Sequence, residues 1–344
     1  MVAHFIVGFL GLLSVATASA DVGDVPRRAP DPTAIVAPTP TGGYYVVSTG
    51  PGIPLWHSPD LVQWEALGSV FPNRVPAWAE AAVPGHRGVW APDISYHDGW
   101  YYLYYAVSTM GGPRSVIGLA VNKAIRPGDP GYRWEDRGLV IESFPGQEKF
   151  NAIDPNLFVD KDGRWYLFFG SGSRRGGINI VPIDPATGKP FKDREVVSPV
   201  ATRPPGSGNI EAPYVVHRNG FYYLFVSWDS CCKGADSNYK VMVGRSTGVS
   251  GPYVDAQGRR MLDGGGTLVL AGDERWIGPG HNSVLTTEKG EWLVYHTWDA
   301  QQINAGRILQ VRPLYWTSDG WPLPGQPLNV YRWAADFPWA TKQR

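Results

Sequence analysis

The sequence has almost no cysteine. There are two in 344 residues, and these two, Cys231 and Cys232, are neighbours. A framework of disulfides is thereby excluded, so the chain must stand on its hydrophobic core. Whether the adjacent pair is bridged stays open at this level. Excess charge of either sign is also missing: Lys+Arg and Asp+Glu are both 31. No basic run offers an electrostatic footprint for nucleic acid. There is no N-x-S/T sequon, and beyond residue 20 no stretch reaches the ~18 apolar residues that a membrane span needs. The seven histidines show neither H-x-x-x-H nor Cys/His spacing, which argues against a zinc hydrolase. The glycines of "DGGGT" (263–267) lack the strand-and-helix context of a phosphate loop.

What is present begins with "MVAHFIVGFLGLLSVATASA", an apolar run closed by Ala18-Ser19-Ala20. This is the layout of a secretory signal peptide over residues 1–20, and it predicts a secreted or periplasmic protein with no membrane contact after cleavage. The remainder carries 42 Gly and 31 Pro with 15 Trp and 17 Tyr. Aromatics favour strands, Gly and Pro favour turns, and the mixture reads as all-β with many tight connections. Aromatic rings left exposed would also suit carbohydrate.

The chain repeats itself. "WAPDISYHDGWYYLYYAVS" (90–108), "AIDPNLFVDKDGRWYLFFGS" (152–171), "IEAPYVVHRNGFYYLFVS" (210–227) and "GPGHNSVLTTEKGEWLVYHTW" (278–298) share one plan. Each has a polar anchor, a short apolar strand, a Gly turn and an aromatic strand; "APDPTAIVAPTPTGGYYVVST" (29–49) is a weaker copy. With Asp31, Asp93, Asp154, Glu211 and His281 as anchors, the intervals are 62, 61, 57 and 70 residues. A second hairpin follows each first one, giving four short strands per unit. That is the pattern of a propeller blade, and five anchors predict a five-bladed β-propeller with blades at 29–89, 90–150, 151–208, 209–275 and 276–334. A β-sandwich with irregular hairpins is the alternative. No linker divides the chain, so 29–334 reads as one domain.

In a propeller, equivalent points of successive blades meet near the axis. The five anchors would then form one cluster of four carboxylates and an imidazole. Packed like charges repel and drive pKa values apart, which suits binding or catalysis better than stability. Two carboxyl groups of different pKa across a cleft are the equipment of glycoside hydrolysis. Glu211, framed by Ile210, Ala212 and Pro213, reads as the acid and Asp31 as the base. Asp154 would hold the acid in place and keep its pKa high.

From Asp31 to Pro322 the chain resembles glycoside hydrolase family 43, particularly its arabinanases, through "WAPDISYHDGWYYLYYAVST", "NAIDPNLFVDKDG", "IEAPYV", "FVSWDSCCKG", "GPGHNSV" and "VRPLYWTSDGWP". The resemblance implies a five-bladed propeller that hydrolyses α-1,5-linked L-arabinan with inversion. It implies general base Asp31, tuning carboxylate Asp154 and general acid Glu211, with His281 near a calcium or similar ion coordinated mostly by water. Many arabinanases have His before the first Asp-Pro; here Pro30 stands there, which loosens the base assignment. Trp90 resembles an aromatic that lines the sugar site. Asp93 either binds hydroxyls or caps backbone; Asn151 and Ser171 flank the cleft or form turns; Cys232 sits in a loop matching the arabinanase pattern. Arg307 and Arg312 either contact hydroxyls or are outer-strand charges, and His296 reads as structural. The chain ends about twenty residues after "GWP", leaving no room for the extra sandwich common in xylosidases of the family, which favours an open groove and endo action. The alternatives are an exo-acting α-L-arabinofuranosidase or β-xylosidase, and a non-catalytic carbohydrate-binding propeller.

Overall fold

Each repeat places aromatic and β-branched residues on either side of a tight turn, and each folds into one antiparallel sheet. The structure, a computed structural model, describes residues 28–328 apart from 73–74, 112–113, 145, 173–175 and 193–195. The expected signal peptide and residues 329–334 of the expected domain lie outside the described residues. Blade 1 holds β1 (Thr33–Val36), β2 (Tyr44–Val47), β3 (Pro54–Ser58) and β4 (Glu65–Ser69); blade 2 holds β5 (Trp90–His97), β6 (Trp100–Val107), β7 (Ser115–Asn122) and β8 (Glu135–Ser143). Blade 3 holds β9 (Asn156–Val159), β10 (Trp165–Phe169), β11 (Ile178–Asp184), β12 (Lys189–Pro190) and β13 (Ser198–Ala201). Blade 4 holds β14 (Ile210–Arg218), β15 (Phe221–Trp228), β16 (Lys240–Ser246) and β17 (Thr267–Leu270); blade 5 holds β18 (Trp276–Thr287), β19 (Gly290–Asp299), β20 (Arg307–Trp316) and β21 (Pro322–Pro324). The third blade departs from four strands because two short segments, β12 and β13, share the outer edge of β11. Among the described residues the one α-helix, Ala77–Ala82, lies between blades 1 and 2. No described helix is long and apolar enough to cross a membrane.

The five-bladed propeller read from the repeats is the fold. Its hairpin turns follow from local chemistry. At Asp98-Gly99 and Asn219-Gly220 both turn residues have positive φ, the backbone that Asp, Asn and Gly tolerate and that matches strand twist. The core lies between the sheets. Each of the five apolar clusters joins neighbouring blades, for example Val46 and Ala34 of blade 1 with Val294 and Trp292 of blade 5. Strands covered on both faces need no polar alternation, hence the runs "WYYLYYAV" and "FYYLFVSW". The ring closes where Arg28 bridges Ile308 on β20.

Near the axis, one residue of each innermost strand reaches the next blade. Ser283 Oγ accepts from Ala34 N–H (3.2 Å), and Thr33 Oγ1 donates to the Pro92 carbonyl (2.8 Å). Asp93 accepts from Leu157 N–H (2.8 Å) and Asn156 Nδ2 (3.1 Å). Asn156 Oδ1 in turn accepts from Val215 N–H (2.9 Å), and the Tyr214 hydroxyl donates to the Val284 carbonyl (3.2 Å). These links run from blade 5 through 1, 2, 3 and 4 back to 5.

Asp93 therefore has both carboxyl oxygens occupied by blade 3 and is buried, with 3% exposure. Of its two expected roles, backbone capping is what the structure shows, and it does so across blades. Burial raises its pKa to about 7. Replacing it by Ala strands two buried donors, so Asp93→Ala should lose about 2–4 kcal/mol of stability at pH 5, read as a lower urea midpoint with sugar binding unchanged. The folded pKa is raised, so this stabilisation is full below about pH 4 and fades as pH rises through about 7; the gap to the variant should narrow accordingly.

Candidate active site

In or just before each innermost strand stands one residue with left-handed backbone: Asp31 (φ 52°), Ala91 (43°), Asp154 (54°), Ala212 (57°) and His281 (50°). Four of the five precede proline. Such a conformation in a non-glycine residue costs on the order of 1–3 kcal/mol and persists only where the surroundings fix it. Here strand pairing resumes beyond a bulge, between Trp90 and Asp93, Glu211 and Tyr214, and Gly280 and Ser283. The equivalent points are thus spaced by 60, 63, 58 and 69 residues (31, 91, 154, 212, 281). The sequence anchors are in register in blades 1, 3 and 5. Asp93 lies two residues past its point and Glu211 one before.

Asp31 is held from blade 5. Its backbone N–H donates to His296 Nδ1 (3.0 Å), and its Oδ1 accepts from Arg307 (2.8 Å). That Nδ1 accepts places the His296 proton on Nε2, which is buried with no hydrogen-bond partner among the described residues. His281 Nδ1 and His296 Nδ1 also lie 3.5 and 3.3 Å from Asp31 Oδ1. Burial lowers the pKa of both rings, that of His281 to about 4, so both are neutral near pH 7. Arg307 is then the countercharge. Burial pushes the Asp31 carboxyl up, but the charge of Arg307 leads the opposing forces, and they hold it well below the usual carboxylate range. Asp31 is an anion poised to take a proton.

The other two carboxyls are tuned in the opposite direction. Burial, then the neighbouring charges of Glu211 and Asp31, push Asp154 well above its ordinary value. Its Oδ2 accepts from Ala212 N–H (3.2 Å), the residue after Glu211, and so fixes the backbone that carries it. Glu211 is raised chiefly by burial, against opposing hydrogen bonds from Tyr239 and Ser171. Its Oε1 accepts from the Tyr239 hydroxyl (2.8 Å), and its Oε2 from Ser171 Oγ (2.9 Å) and Asn209 Nδ2 (2.5 Å). Two buried carboxyls side by side favour keeping a proton between them. The site thus holds one ionised carboxylate facing a proton-retaining pair.

The supporting residues divide. Ser171 touches Glu211 itself. Asn151 Oδ1 accepts from Ser115 Oγ (2.8 Å) three residues before Asp154. Trp90 is half-buried immediately before Ala91, the position that Glu211 takes before Ala212. Cys231 and Cys232 are bridged, and Cys232 is exposed in the loop after β15, at the same end of blade 4 as Glu211. Arg312 is a correction: it is buried against the Tyr295 hydroxyl and the Gly325 carbonyl (3.2 Å), away from the cluster. Residues an odd number apart on a strand face opposite sides, so Arg307 reaches Asp31 while Arg312, five residues on, turns towards blade 4.

The chain matches the model of "Glycosyl hydrolases family 43" over residues 25–322. It belongs to that family. Among family relatives, "Extracellular exo-alpha-(1->5)-L-arabinofuranosidase ArbA" of Cellvibrio japonicus is 41% identical over 81% of this chain and 82% of its own length. "Extracellular endo-alpha-(1->5)-L-arabinanase 1" of Bacillus subtilis is 39% identical over 81% and 83%. Among solved structures, the Cellvibrio cellulosa alpha-L-arabinanase complexed with arabinohexaose is 38% identical, covering 88% of this chain and 96% of its own with a TM-score of 0.82.

Sequence reasoning about this family 43 site missed Tyr239 and Asn209 altogether and gave His296 no part at Asp31. Tyr239 and Asn209 sit outside the repeated motifs and His296 in the aromatic strand of the last one; each reaches the carboxylates from a loop or second strand. For Arg307 the available signal was strand alternation. Arg307→Met should raise the Asp31 pKa, because the lost cation had favoured the anion. A base must be ionised to act, so the acidic limb of the kcat/KM profile should move to higher pH; Arg307 also lowers the Glu211 pKa, as the weakest of the forces on it, so the basic limb should move up by less.

Proposed function

We propose that this protein hydrolyses α-1,5-L-arabinofuranosyl linkages of arabinan with inversion and does so within the chain. The observation that carries the reading is the electrostatic split of one site, with Asp31 held as an anion and Glu211 raised. Glu211 gives its proton to the glycosidic oxygen as the C1–O bond breaks and its electron pair leaves with the departing sugar. A water between the carboxyls attacks C1 from the opposite face and loses its proton to Asp31. Asp154 keeps the Ala212 backbone, and with it Glu211, in place. A purely sugar-binding propeller has no use for such a split. Trp90, Asn151 and the bridged Cys232 supply the sugar-facing rim. The two extracellular relatives and the apolar leader at 1–20 support secretion.

Exo action is the second reading, favoured by the 41% identical arabinofuranosidase. The product profile on debranched α-1,5-arabinan separates the two. Mixed oligosaccharides at early times are expected; a single short product from the outset would establish exo action. Glu211→Gln should reduce kcat by about 10²–10⁴-fold, the usual worth of a general acid, with KM little changed. Proton NMR of the first turnovers should show the inverted anomer.

His281 fits a calcium-type ion only with water as the main partner. Its imidazole is neutral, and among the described residues no group of three or more His, Cys, Asp or Glu side chains is arranged to hold a metal ion. When bound, the ion would add positive field near the axis. Chelation should lower the melting temperature and calcium should restore it; an unchanged melting curve would remove the ion from the account.

A further inference from the structure

The three hydrogen bonds that described residues make to Glu211 are unevenly shared between its oxygens. A carboxyl oxygen has two in-plane lone pairs. Both at Oε2 are engaged, by Ser171 Oγ and Asn209 Nδ2. Asn209 is itself fixed from behind: its carbonyl accepts from Arg203 (2.9 Å) and from Asp229 N–H (3.1 Å). The Arg203 guanidinium is clamped by Asp229 (2.6 Å) and lies over the Trp228 ring at 4.3 Å. Oε2 is therefore an anchored oxygen. Among the described residues Oε1 meets a single group, the Tyr239 hydroxyl, which leaves its other lone pair open.

Tyr239 is equally constrained. It is buried, with 1% exposure, and its ring lies parallel to His296 (centroids 5.8 Å apart, planes at 15°). A Cβ added at Gly280 would stand 2.1 Å from the Tyr239 ring, so the second glycine of "GPGHN" is what admits the tyrosine against β18. One side of the ring thus meets the imidazole that holds the base, while its hydroxyl holds the acid.

We propose that Glu211 carries its transferable proton on Oε1, and that Tyr239 is the positioning residue that aims this oxygen at the glycosidic oxygen. The Tyr239 hydroxyl fixes the carboxyl plane and occupies one lone pair of Oε1, leaving the other for the proton. In the reaction the Oε1–H bond breaks, the proton goes to the glycosidic oxygen, and Glu211 is left as an anion that Tyr239, Ser171 and Asn209 stabilise by donation. The inference rests on the reading of Glu211 as general acid.

The test compares two leaving groups. A sugar alkoxide needs the proton, whereas nitrophenolate departs without it. Tyr239→Phe, which keeps the ring, should lose about 10-fold or more in kcat on debranched arabinan, part of a general acid's worth. It should lose less than about 3-fold on a nitrophenyl α-1,5-arabino-oligosaccharide, with KM similar for both. The groups facing Glu211 are Asp154 on blade 3, Asp31 on blade 1, Arg307 on blade 5 and Tyr239 itself. All but Tyr239 stay in the variant. Removing its donor favours the protonated acid, so the basic limb on arabinan should move to higher pH. Gly280→Ala displaces the ring without deleting the hydroxyl and should give the same split if Tyr239→Phe folds poorly. Equal losses on both substrates, or none, in a folded variant would overturn the proposal. Full activity of Glu211→Gln on arabinan would instead sink the assignment of the acid.

Discussion

Everything at the active site depends on the ring of hydrogen bonds around the axis. Ser283, Thr33, Asp93, Asn156 and Tyr214 each reach from one innermost strand to the next. A sheet alone fixes a residue within its blade but says nothing about the angle between blades. Apolar packing between sheets is nondirectional and would tolerate sliding. The polar ring removes that freedom because each link leaves a buried group unpaired if it slips. Two residues before each link stands the left-handed point that aims a side chain at the pocket. The strain at those five points is sustained by the links and bulges next to them.

On this frame three carboxyl groups that are all buried behave in opposite ways, and the deciding difference is the partner rather than the depth. Asp31 has a full cation at 2.8 Å from blade 5. Asp154 and Glu211 have each other, with only neutral donors besides. Burial alone would raise all three; at Asp31 the arginine leads the partners that together outweigh it, and so sets this carboxyl apart as the ionised one. The two histidines, neutral near pH 7, lower the pKa of the Asp31 carboxyl less than the arginine does.

Much of this was legible from residues alone. Gly99, Gly163, Gly220 and Gly290 marked the hairpins, and the aromatic strands after them marked the second strand of each blade. Three carboxylates were found because their spacing and neighbours spoke for them. The register was less legible. The repeating feature is a sign of φ, visible in sequence only as the proline that follows, and in blades 2 and 4 the residue concerned is an alanine with no chemistry to notice. Asp93 looked like a site anchor because it is acidic and nearby, yet two positions along the strand put it on the inter-blade link. Arg307 and Arg312 could be told apart only by counting faces along β20. Tyr239 and Asn209 were hidden because a contact made from a loop leaves no periodic trace.

The Asp31 contacts span an unusual length of chain. Its backbone meets His296 at a separation of 265 residues and its side chain meets Arg307 at 276. The carboxylate stands near the beginning of the polypeptide and the groups that keep it ionised stand near its end. A chain with only its first four blades formed would carry Asp154 and Glu211 and still lack the partners that keep Asp31 ionised. The charge pattern of the site is therefore complete only when blade 5 stands beside blade 1.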